Sequence, residues 1–224
     1  APPQRADERS AARSAHLTGY QNAQYAQRYQ ALVERVRAAE QALDPASEQL
    51  TATVARYYAK VLSYQDEYEV ARLHSDPANL AAMRSQFSGD MRVEYNLAPP
   101  LLSKRDPVTG HLKKRSFGPW IVPAFRLLAK LRFLRGTALD IFGKTAERKM
   151  ERALIKQYQQ DMAEVLPLLS DQTREAIVAL AELPLKIKGF GPVKQAGEEK
   201  AAKRREELLS VIRAGGTATA KAAE

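Results

Sequence analysis

SFGPWIVPAFRLLAKLRFLRG, residues 116–136, crowds aromatic, aliphatic, proline and arginine residues into the most apolar run of the chain. A membrane-spanning helix needs roughly 20 mostly apolar residues. Here Arg126, Lys130, Arg132 and Arg135 interrupt the run, and Pro119 and Pro123 break its start. Each charge at the bilayer centre would cost about 2.5–3.5 kcal/mol, so the segment does not span. What remains is an amphipathic helix, with Leu127, Leu128, Leu131 and Leu134 spaced by three and four. Such a stripe can lie on a membrane surface or face a protein core. The core reading carries more weight, and it makes this run the spine of a soluble helical domain.

Composition sets the outer bounds. The chain of 224 residues suffices for one generous domain or two small ones, and its 45% hydrophobic content supports a packed core. A formal charge of +9 suits phosphates, anionic lipids or an acidic protein surface. Cysteine is absent, which excludes disulfides and any thiolate-held zinc or iron–sulfur site within this chain. The 3 histidines, His16, His74 and His111, are too scattered to suggest an imidazole metal site. The opening APPQRADERSAARSA lacks the apolar region of a secretory signal and the initiator Met. It reads as part of something longer, and the expected compartment is the cytoplasm.

Hydrophobic period assigns most of the chain to helices. Tyr25, Tyr29, Leu32, Val36, Ala39 and Leu43 recur by fours and threes, predicting one helix from Leu17 to Leu43. Asp44 and Pro45 predict a stop and a capped restart, followed by a second helix carrying Leu50, Val54, Tyr57, Val61, Tyr64, Tyr68 and Ala71. The short connection makes the two antiparallel neighbours. Asp76-Pro77 opens a third helix. Met91, Val93, Tyr95 and Leu97 then alternate as in a strand, ahead of a turn at Asp106-Pro107 and Gly110. Later helices are expected over 145–166 and 171–183, with a charged one ending near Arg213. The prediction is a mainly α, multi-helix domain with antiparallel helix pairs and a small β-hairpin insert. It divides into a flexible leader (1–15), a helical half (16–89), a hairpin insert (90–118), a second helical half (119–213) and a disordered tail (214–224), with 16–213 as one domain.

Catalytic motifs do not emerge. There is no nucleophile elbow, P-loop, His-Glu-x-x-His pair or dinucleotide fingerprint. Asp66, Glu67 and Glu69 cluster on the second helix, but no partner helix supplies the further carboxylates of a di-metal site. A solvated face, or pairing with the many arginines, is the expectation for them, and no metal ligand is assigned. Lys104, Arg105, Lys113, Lys114 and Arg115 flank one turn, so both hairpin arms could present charge to a phosphate or an acidic partner, or simply to water. In LPLKIKGFGPVK, residues 183–194, the Gly189-Phe190-Gly191 turn resembles a helix-hairpin-helix DNA-binding motif. The polar helix after it and the residues between Pro184 and Gly189 depart from that pattern.

Four strings taken in order resemble one family: YQDEYEVARL (64–73), LAPPLLSKRDPVTG (97–110), RSFGPWIVPAFRLLAKLRFLRGTALDIFGKTAERKMERALI (115–155) and IKGFGPVK (187–194). They resemble the C-terminal region of the long, single-chain bacterial indolepyruvate ferredoxin oxidoreductases. The resemblance implies a parent that decarboxylates aryl pyruvates on thiamine diphosphate with magnesium. That parent passes electrons through iron–sulfur clusters to ferredoxin and hands the acyl group to coenzyme A. None of these groups has a recognisable site here: cysteine is missing, as is the Gly-Asp-Gly run leading to Asn-Asn that holds the diphosphate. The resemblance therefore implies a non-catalytic accessory domain, serving assembly or shielding of the cofactor route, whose partners are the parent's catalytic domains and, through them, ferredoxin. On that reading Trp120 and Phe125, between Pro119 and Pro123, anchor the domain to its parent. The alternative is that both rings serve the domain's own core. A free-standing basic nucleic-acid-binding protein is the competing expectation for the whole chain.

Overall fold

A computed structural model describes residues 3–86, 88–89, 93–97, 113, 115–187 and 192–216, excepting the side chains of 3–6 and 192–196. In chain order the elements are α1 (Pro3–Tyr20), α2 (Ala23–Leu43), α3 (Gln49–Leu62), α4 (Glu67–Ser75), α5 (Pro77–Arg84), β1 (Tyr95–Leu97), β2 (Arg115–Phe117), α6 (Val122–Lys130), α7 (Ala146–Val165), α8 (Arg174–Ala181) and α9 (Pro192–Arg213). Short 3-10 turns cover Pro119–Ile121, Leu131–Leu134, Leu166–Leu168 and Leu183–Leu185. The fold is mainly α with one small antiparallel strand pair, as the sequence periods require. The chain divides into two compact units. One comprises Ala1–Tyr64 and Met150–Glu224, the other Gln65–Lys149.

In the first unit the expected leader is helical from Pro3 onward, and Leu17 and Tyr20 are buried. The predicted single helix over 17–43 breaks at Asn22. Its side-chain oxygen accepts the Tyr25 amide at 2.8 Å and so caps α2. The restart predicted at Asp44-Pro45 falls instead at Gln49. Asp44 closes α2, and the α3 amides find their acceptor in Glu40, buried on α2. The Glu40 carboxylate accepts the Leu50 amide at 2.8 Å, the Thr51 amide at 2.7 Å and the Thr51 hydroxyl at 2.6 Å. A negative charge at a helix N-terminus is favoured by both the free amides and the helix dipole.

Tyrosines fill much of this core. Tyr58 stacks between Tyr29 and Tyr158, with centroids 6.1 and 5.5 Å away. Each buried phenol needs a partner: Tyr29 donates to the Ala55 carbonyl and Tyr158 to that of Ala181. Val36, Leu50, Val54, Leu62, Met162, Ile177 and Leu209 complete the packing. At the end of α9, Gly216 sits at φ +81°, and an added Cβ would collide with the Gln172 carbonyl. Only glycine fits there.

The second unit is smaller. The helix predicted through Ala71 is cut at Ser63, and α4 starts afresh under the cap of Asp66, whose carboxylate accepts the Glu69 amide. Asp76 caps α5 with Pro77 in its first turn, as expected. β1 pairs with β2 in the register Tyr95↔Phe117, Asn96↔Ser116 and Leu97↔Arg115. α6 packs on α4, and the core here is Ala71, Tyr95, Ile121 and Phe125.

Candidate docking surface

α6 has two apolar sides, and the second unit covers only one. Ile121, Phe125 and Leu128 follow one another by four and three, and all belong to the core cluster against α4 and β1. Trp120, Ala124 and Leu127 follow the same steps one residue earlier, which turns them about 100° round the axis. That side is open: Trp120 is 70% and Leu127 63% exposed, and Pro123 and Ala124 beside them are also exposed. Arg126 and Lys130 lie along its outer edge, both exposed. Beyond the helix, Phe133, Leu139 and Ile141 are exposed as well. Lone exposed apolar residues need no explanation, but a run of large ones in a single segment does.

Buried charge fixes the backbone that carries this run. Arg135 donates through Nη2 to Asp66 Oδ1 at 2.8 Å and through Nε to Asp66 Oδ2, with both side chains buried. Its guanidinium also lies 5.6 Å from the centre of the Tyr68 ring. Buried Asp140 gathers the next turn by accepting the Gly136 amide at 2.8 Å, the Gly143 amide at 2.9 Å and the Tyr68 hydroxyl at 3.2 Å. Burial first, and the Asp140 charge second, push the Tyr68 phenol well above its ordinary range. The three clustered carboxylates of α4 thus each meet an arginine: Asp66 with Arg135, Glu67 with Arg148 at 3.5 Å, and Glu69 with Arg72 at 2.7 Å. Burial raises the Glu67 carboxyl above its usual value, with Arg148 pulling the other way.

The residues singled out in the sequence separate. Phe125 is 7% exposed and a core residue, packed edge-on to Tyr95 at 5.5 Å, so it is no surface anchor. Trp120 is the surface ring, touching Phe117 edge-on at 6.0 Å. Leu127, expected on the core stripe, faces outward. Lys113 and Arg115 are exposed; Lys104, Arg105 and Lys114 lie outside the described residues, as do the Asp106-Pro107 turn, His111, the Gly189-Phe190-Gly191 turn and residues 217–224. His74 stacks on Phe125 at 5.9 Å, and burial lowers its pKa. It borders a shallow cleft of about 250 Å³ with Leu80, Met83, Val93 and Tyr95. Sequence reasoning missed Phe133, Leu139 and Ile141 as surface residues. The available signal was the pair of interleaved four-three stripes in 120–128, of which only one can face a given neighbour.

No helix among the described residues is long and apolar enough to cross a membrane. No curated protein and no solved structure matches the chain. One family model does match, over residues 6–207, and it is described as a family of unknown function (DUF6537). The chain belongs to that family.

Proposed function

We propose that the chain is a non-catalytic accessory domain of an indolepyruvate ferredoxin oxidoreductase, and that it serves assembly. Two things support the reading: the four ordered strings shared in kind with that enzyme's C-terminal region, and the open apolar side of α6. The second carries it, because a rigid ring held between Pro119 and Pro123 loses little freedom on docking. In the parent, thiamine diphosphate, magnesium, iron–sulfur clusters and coenzyme A would reside in other domains, and this domain would pack against them in the cytoplasm.

The test uses the full-length enzyme. Trp120→Ala should weaken its assembly, measured by sedimentation, while leaving the domain's unfolding midpoint unchanged. The chain by itself should stay colourless after iron–sulfur reconstitution and leave indolepyruvate unconsumed; turnover with a dye acceptor would sink the proposal. The competing nucleic-acid reading draws on exposed Lys113 and Arg115. It requires duplex binding whose log affinity falls with log salt at a slope near −0.9 per neutralised phosphate.

A further inference from the structure

The chemistry around the open side of α6 restricts what can cover it. From Pro107 to Leu139 the sequence contains no aspartate or glutamate, while Lys113, Lys114, Arg115, Arg126, Lys130, Arg132 and Arg135 all fall there. Arg135 is neutralised by Asp66. Among the described residues no carboxylate pairs with Arg126, Lys130 or Arg132. Each of these cations adjoins an exposed apolar side chain: Arg126 precedes Leu127, Lys130 lies one turn beyond it, and Arg132 precedes Phe133. We infer that this face docks on a protein surface with an apolar hollow rimmed by aspartate and glutamate. The inference rests on reading the face as an assembly surface and goes on to specify the partner's chemistry.

Nucleic acid would satisfy the cations but leave Ala124 and Leu127 without apolar contacts. An anionic membrane would satisfy both kinds of group. It needs no fixed shape, however, and this face has one. Pro119 and Pro123 set the backbone on either side of Trp120, and the buried Asp66–Arg135 pair holds the chain just past the helix. Fixed shape matters for fitting a solid surface. Cations at the edge speed encounter with an acidic rim, and the aromatic and aliphatic centre slows release.

The experiment places a photo-cross-linking residue at position 127 of the full chain in the cells that make it, and maps the adduct. One adduct is expected, on an apolar segment bearing carboxylates. Arg126→Glu with Lys130→Glu should lower its yield at least roughly ten-fold. Changing the mapped carboxylates to lysine should restore it. Trp120→Ala should weaken binding to the mapped partner by about 30-fold, the loss typical of a central aromatic. Circular dichroism and the unfolding midpoint must be unchanged in each variant. An adduct within the oxidoreductase supports both this inference and the proposed parent. A charge-swap-rescued adduct on another protein supports this inference and removes the parent. Absence of an adduct, or an adduct indifferent to charge reversal, overturns the inference. So does binding of the chain to phosphatidylglycerol vesicles that Trp120→Ala abolishes.

Discussion

Trp120 and Phe125 lie five residues apart in one proline-rich run, yet they do opposite work. Phe125 fills the small core between α4 and β1, so Phe125→Ala should cost about 3–5 kcal/mol. Trp120→Ala should change stability by no more than about 0.5 kcal/mol, because an exposed ring gives up few contacts. Urea unfolding of the two variants checks the difference; equal losses would mean that Trp120 is core after all. Asp66 is the other decisive residue, since one carboxylate both caps α4 and holds Arg135. Asp66→Ala breaks a buried ion pair and removes the α4 cap together, and about 3–5 kcal/mol should be lost. The sequence flagged both rings as a pair but could not divide them. The two stripes of 120–128 have the same period, and only the position of α4 decides which is covered. For Asp66 the sequence left open a solvated face or an arginine partner; that Arg135 would be that partner was not legible, because nothing local joins residues so distant in the chain.

Among the elements, the helices with a clean apolar face were readable and their ends were not. α2 and α3 carry their four-three patterns through to the observed core, and the Asp76-Pro77 start of α5 was visible as a cap. The breaks at Asn22 and Ser63 were invisible, since the apolar period runs on across both. The start of α3 was misplaced for a different reason: its amides are capped from the preceding helix, by Glu40. That contact has a pH signature. Burial works against the Glu40 charge, but hydrogen bonds from the Thr51 and Ser47 side chains and from the Thr51 and Leu50 amides outweigh it, so the carboxyl titrates below its ordinary value of 4.5. A lowered folded-state pKa means that the folded chain holds the proton less tightly than the unfolded one. The stabilisation is therefore complete above about pH 4.5 and is lost as pH falls through the lower folded value. Glu40→Gln should cost about 1–3 kcal/mol at neutral pH by setting an amide NH2 against backbone donors. It should also flatten the acid limb of the stability curve. Thermal unfolding between pH 3 and 7 reads both effects, and an unchanged acid limb would show that other carboxylates govern it.

At the scale of the molecule, the second unit is an insertion within the first: Tyr64 and Met150 bound a segment whose core residues are its own. The first unit's core draws on 17–62 and 155–212. It combines buried tyrosines that stack and donate to backbone carbonyls with an aliphatic centre of Val36, Leu50, Leu62, Met162 and Leu209. Among the described residues the second has a smaller apolar cluster, built on Ala71, Tyr95, Ile121 and Phe125 and steadied by the Asp66–Arg135 ion pair and the hydrogen bonds of Asp140. Apolar burial scales with core size, whereas a buried ion pair returns little beyond its desolvation. The two units should therefore differ in stability. Amides of α4 and α6 should exchange with solvent through openings of lower free energy than those of α2 and α3, as expected where local stability follows packing. The same division predicts that the first unit survives without the second. Replacing residues 66–148 with a flexible glycine-serine linker should leave a helical protein that unfolds cooperatively and retains the exchange protection of α2 and α3. It should lose every contact made through Trp120. Exchange rates equal across the two units, together with collapse of the linker variant, would mean that the insertion is needed to fold the bundle that surrounds it in sequence.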